Sequence, residues 1–117
     1  MKRVYLAGPM SGIPEFNFPA FHAMASALRG AGFDVVNPAE INGPAAVDAG
    51  MTWADCMRAD IAQLVTCDGI ALLPGWENSR GATLEHHIAK ALGMHVAMAA
   101  HLITAPAAAG AVAEAVL

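Results

Sequence analysis

"GIALLP", residues 69–74, is an unbroken apolar run held between Asp68 and Gly75. A strand with one wet face alternates apolar and polar residues. A short continuous run belongs instead to a strand covered on both faces. Helices on both sides of a parallel sheet provide that cover, so the run predicts an α/β architecture. Its neighbours extend the pattern. "RVYLAG" (3–8) and "DVVNP" (34–38) read as two earlier strands, and "HVAMA" (95–99) as a fourth. A helix is expected from about Phe18 to Leu28. Asn17 is its N-cap, Pro19 falls in its first turn, and Phe18, Phe21, Ala25 and Leu28 form its buried stripe. A second helix runs from about Trp53 to Thr66, with Thr52 and Asp55 forming an approximate capping box. A third covers 79–93 and is opened by Ser79.

Alternating strands and helices with short connections imply a parallel sheet with right-handed crossovers. The expected fold is therefore one domain over residues 1–117, a three-layer αβα sandwich with four or five parallel strands, flavodoxin-like or Rossmann-like. Such sheets bind ligands beyond the C-terminal ends of their strands, near the switch in strand order. Those ends are Gly8, Asn37 and Pro74.

Composition narrows the function. The chain has 117 residues, 56% of them hydrophobic, but 27 are Ala, which adds little core volume. Six basic residues stand against ten acidic ones, for a net charge of −4. Without clustered Lys and Arg, a nucleic-acid polymer is not an expected partner. Cys56 and Cys67 form no CxxC pattern and read as reduced thiols of a cytoplasmic protein. The N-terminal apolar run stops at Gly8-Pro9, too short for a signal peptide. Residues 94–117 are long enough to cross a bilayer. They contain His95, His101, Pro106 and Glu114, however, so the expectation is a strand and an Ala-rich terminal helix, with no membrane span. The sparse charge leaves much of the surface apolar, which suggests a homodimer or higher homo-oligomer through Met51, Trp53 and the Ala-rich end.

Two carboxylates break the helical patterns. At 100° per residue, Glu85 falls inside the stripe marked by Leu84, Ile88, Ala89 and Leu92, while His86, His87 and Lys90 face outward. Asp60 likewise falls inside the stripe of Trp53, Met57, Ile61 and Leu64. Both helices adjoin the C-terminal edge of one sheet. Desolvation raises a carboxyl's pKa and a nearby donor lowers it, so two acids in different surroundings can divide catalytic work. Glycosidic bonds are cleaved by such pairs through a transition state with positive charge on the sugar. Cleavage or transfer at a glycosidic carbon is thus the chemistry these residues suggest. Asp55 reads as a helix-start residue and Asp68 as a turn former.

Two loops complete the candidate site. Glycines in "GPMSG" (Gly8, Pro9, Met10, Ser11 and Gly12) let backbone N–H groups approach an anion or a sugar. The loop lacks the ending of a phosphate-cradling Walker A sequence, and it is not GxGxxG. "GWENS" (75–79) leads into the helix of Glu85, where Ser79 caps a helix N-terminus that favours phosphate. Trp76 is placed to stack on a base or to pack on the sheet edge, and Asn78 lies beside it. The histidines have no Cys or carboxylate at ligand spacing, so no metal is expected, and no cofactor motif is present.

"VYLAGPMSG", "ADIAQLVTCDGIALL" and "SRGATLEHHIAKALG" together resemble the nucleoside 2-deoxyribosyltransferase superfamily. That superfamily includes the 2'-deoxynucleoside 5'-monophosphate N-glycosidases and small bacterial and phage members with the same opening. The likeness covers roughly residues 3 to 98, and Gly81 to Glu85 is its most specific part. It implies a nucleoside or nucleotide substrate, with Glu85 as a nucleophile forming a sugar ester. Asp60 would assist and Tyr5 would orient the nucleophile. Gly8 and Gly12 match the glycine loop, and Ser79 matches a serine that contacts a 5'-phosphate. Phosphate-binding relatives carry a Ser and an Arg in the first loop, where this chain has Pro9 and Ser11. The resemblance also implies an active site completed by a second subunit. A silent nucleotide sensor or an accessory protein on the same fold is the alternative.

Overall fold

The chain threads its first strand down the middle of the sheet. The structure, a computed structural model, describes residues 2–41 and 50–104. Strand β1 (Arg3–Ala7) pairs on one side with β2 (Asp34–Val36) and on the other with β3 (Gly69–Leu72). Strand β4 (His95–Met98) extends the sheet beyond β3. All pairings are parallel and the order is β2-β1-β3-β4. Helices α1 (Phe18–Gly30) and α5 (Ala99–Thr104) cover one face. Helices α3 (Trp53–Leu64) and α4 (Arg80–Ala91) cover the other, and the short α2 (Pro38–Ile41) follows β2. This is a three-layer, Rossmann-like α/β fold.

Both sides of β1 are buried, and its pleat divides two cores. Val4 and Leu6 pack with Phe21, Ala25, Leu28 and Leu102 under α1 and α5. Tyr5 and Ala7 turn the other way, toward Leu64, Ala82 and Ala89 under α3 and α4. The strands stop one or two residues short of the apolar runs that announce them. Pro38 and Pro74 have no N–H for the ladder, and Pro38 instead starts α2, which the composition of 39–50 concealed.

The buried faces of α3 and α4 differ from the hydrophobic wheel at a few large residues. On α4 the buried residues are Ala82, Glu85 and Ala89, whereas Leu84 is exposed and Leu92, past the last helical turn, is 59% exposed. On α3 they are Met57, Asp60 and Leu64, and Trp53 is 38% exposed. On α4 the small Ala82 and Ala89 let the helix approach the sheet closely, so the contact face centres on them and the bulky Leu84 is turned to the rim. Helix α3 ends at Leu64, leaving Val65 and Thr66 in the turn before β3.

The caps on α3 and α4 are those expected. Thr52 accepts from the Asp55 N–H while Asp55 accepts from the Thr52 N–H, and Ser79 accepts from the Ala82 N–H. Asn17 is different. It precedes α1 but sits in the left-handed region with Glu15 and Phe16 (φ 61°, 55° and 53°), and its amide donates to the Pro9 carbonyl instead of capping. The turn expected of Asp68 is a tie across the chain, since its carboxylate accepts from the N–H groups of Lys2 and Arg3. Among the described residues no helix is long and apolar enough to cross a membrane. The Ala-rich end expected to be helical lies outside the described residues beyond Thr104.

Candidate active site

Strand order reverses between β1 and β3, and a ligand crevice forms beyond the C-terminal ends of the strands on either side of such a switch. The loops leaving those two strands meet. A β-carbon on Gly75 would lie 3.5 Å from the ring of Pro9, and Leu73 N–H donates to the Ala7 carbonyl. Gly8 is needed for this junction on steric grounds alone, because a β-carbon there would stand 2.7 Å from Leu73 Cβ.

Beneath the junction, on the face covered by α3 and α4, three polar side chains come together. Tyr5 is fully buried at the centre of β1, and its hydroxyl donates to Glu85 Oε2 at 2.5 Å. Glu85 is 5% exposed and Asp60 6%. Burial pushes the Glu85 carboxyl up to about 8, the Tyr5 bond opposes the rise, and the nearby Asp60 charge adds to it. Burial also drives the Tyr5 phenol well above its ordinary value, helped by the negative charges of Glu85 and Asp60. Tyr5 is therefore a neutral, fixed donor. The Glu85 carboxyl is held well above the usual carboxylate range, so it gives up its proton less readily than an exposed glutamate. Which way Tyr5 faces could not be read from a strand buried on both sides.

The remaining candidates occupy varied positions. Ser79 caps α4 from the loop side. Ser11, Gly12 and Asn78 are exposed at the same edge, with Gly12 in the left-handed region (φ 79°). Met10 packs its side chain against the α1 core. Trp76 packs against the core under α3 and α4, and its ring lies 4.3 Å from that of His86, which is half-buried rather than outward-facing. Gly81 faces α3, next to Met57 and Trp53.

Two features escaped the sequence reading. The Arg80 guanidinium rests 3.7 Å above the Trp53 ring, a cation–π contact at the mouth of the α3–α4 seam. Asn37, buried at the end of β2, accepts from the Ala39 N–H and lies 3.3 Å from His22 Nδ1. The position of Asn37 at a strand's C-terminal end was a signal for it; nothing local announced its bond to His22. Among the described residues no three His, Cys, Asp or Glu side chains gather to hold a metal ion.

Residues 2–98 match the model of a family described as "Domain of unknown function (DUF4406)". The chain belongs to the DUF4406 family. The matched span runs from β1 through β4 and takes in Tyr5, Asp60 and Glu85, so the whole cluster is part of the DUF4406 domain. No curated protein matches the chain.

Proposed function

We propose that this DUF4406 domain cleaves or transfers at the N-glycosidic bond of a nucleoside, deoxynucleoside or nucleoside 5'-monophosphate through a covalent ester on Glu85. The observation that carries the reading is the buried Tyr5–Glu85–Asp60 cluster beside the switch point. A carboxyl kept from water, given one fixed donor and set near a second acid is suited to meet positive charge developing at a sugar carbon.

The residues divide the work. Glu85 passes its proton to Asp60, and its carboxylate attacks C1' as the C1'–N bond breaks. The bonding electron pair leaves with the base, which takes up that proton from Asp60. Tyr5 keeps its donor on Glu85 and fixes which oxygen is free to attack. Asp60 stabilises the cationic sugar and assists the leaving base. Water or a second base then attacks C1' and gives a proton to Asp60 as the C1'–O ester bond breaks, and that proton returns to the Glu85 carboxylate. The loop from Gly8 to Gly12 and the cap at Ser79 hold the sugar and any 5'-phosphate, with Trp76 and Asn78 at the base. We read the protein as a cytoplasmic homodimer or higher homo-oligomer in which exposed Met51 and Trp53 approach a neighbour.

A panel of nucleosides and their 5'-monophosphates tests the reaction by chromatographic detection of free base. Release from at least one member supports it. A thermal shift with nucleotide but no base from any member replaces it with a nucleotide sensor.

A further inference from the structure

Gly81 pays a local cost that its own backbone does not demand. Glycine loses more backbone freedom on folding than any other residue, and Gly81, the second residue of α4, is not among the glycines in the left-handed region. Its missing side chain faces α3. A β-carbon on Gly81 would stand 3.2 Å from Met57 Sδ and 3.7 Å from Trp53 Nε1. The first of these is tighter than ordinary contact. Met57 is buried, and Trp53 carries Arg80 on its ring.

This contact is one turn from the proposed chemistry on both helices. Gly81 precedes Glu85 by four residues on α4, and Met57 precedes Asp60 by three on α3, spacings that keep each pair on one helix face. The seam therefore has two rungs, Gly81 against Met57 and Trp53, then Glu85 near Asp60. We propose that Gly81 is a positioning residue, whose absent side chain sets the closeness of α3 and α4 and so the separation of the Glu85 and Asp60 carboxyls. The proposal rests on the glycosidic reading for its catalytic consequence, but the spacing it describes is measurable without substrate.

The test compares wild type, Gly81→Ala and the double variant Gly81→Ala/Met57→Ala in the full chain. Three readouts are taken: the Glu85 titration by carboxyl ¹³C NMR, kcat and KM for base release, and the thermal midpoint. Alanine favours the helix, so Gly81→Ala is expected to keep or raise the midpoint. Widening the seam moves Asp60 away and admits water, and both changes lower the Glu85 titration below its wild-type value. A displacement of a few tenths of an ångström at the reacting groups is expected to cost about tenfold in kcat, with KM changing less. Shortening Met57 makes room for the new methyl and returns titration and kcat toward wild type. Should Gly81→Ala alone not fold, a folded double variant with the wild-type titration supports the proposal, and a double variant that also fails overturns it. Wild-type titration and kcat in Gly81→Ala overturn it, as does a double variant no better than the single. If wild type releases no base, the glycosidic reading falls and the titration alone decides the role of Gly81.

Discussion

Replacing Glu85 by Gln separates the stability of the fold from its chemistry. Glu85 titrates at about 8 in the folded protein against an ordinary 4.5. A raised acid pKa means that its protonated form is the one the fold favours. The stability tied to that proton is complete below about pH 4.5 and is lost as pH rises through about 8. Each unit of pH in this window is worth about 1.4 kcal/mol, so the full span costs wild type about 5 kcal/mol as a ceiling. Glu85→Gln keeps an acceptor for Tyr5 and never ionises. The two proteins should have similar stability near pH 5, and the variant should gain steadily until it exceeds wild type by several kcal/mol near pH 9. Urea unfolding of both proteins across pH 5–9 measures the difference, which cancels the titration of exposed groups common to both. A difference that stays flat with pH would refute a protonated, desolvated Glu85. The charge that weakens the fold is the one needed for attack on the sugar, so the more stable variant should be the inactive one.

Tyr5→Phe removes the donor that holds Glu85 down, so the rising limb of kcat/KM against pH should move to higher pH, and activity at neutral pH should fall about 10²-fold. Asp60→Asn removes the nearby charge, so the Glu85 titration should drop, while kcat falls more than substrate affinity; a change in KM alone would make Asp60 a binding residue. Gly8→Ala forces a β-carbon against Leu73 and should cost about 1–3 kcal/mol in denaturant unfolding, with no such cost for Ser11→Ala on the exposed part of the same loop.

What could be read in advance follows from where burial is uniform. Gly69–Leu72 and Arg3–Ala7 are apolar because both of their faces are covered, and that leaves an unbroken run in the sequence. Asp60 and Glu85 were legible because a charged residue on an inward stripe breaks a pattern. The same wheel misplaced Trp53, Leu84 and Leu92, since it weighs hydrophobicity but not how closely two surfaces approach. Ala82, Ala89 and Gly81 decide that approach by being small. Asn17 stands at the N-cap position of α1 as expected, but its side chain makes no cap bond: three successive left-handed residues, Glu15 to Asn17, which side-chain chemistry does not announce, leave its amide on the Pro9 carbonyl. The Tyr5–Glu85 bond joins residues 80 apart in the chain and depends on which side of β1 faces α4, which a doubly buried strand does not disclose.

The most direct measurement of the central claim is a rapid acid quench of the enzyme during turnover of whichever substrate releases base, followed by proteolysis and mass spectrometry of the peptide that contains Glu85. Wild type is expected to carry one added sugar on that peptide while free base accumulates, and Glu85→Gln is expected to show neither the adduct nor the base. Equal base release by the two proteins, with the Glu85 peptide unmodified throughout, would contradict the account.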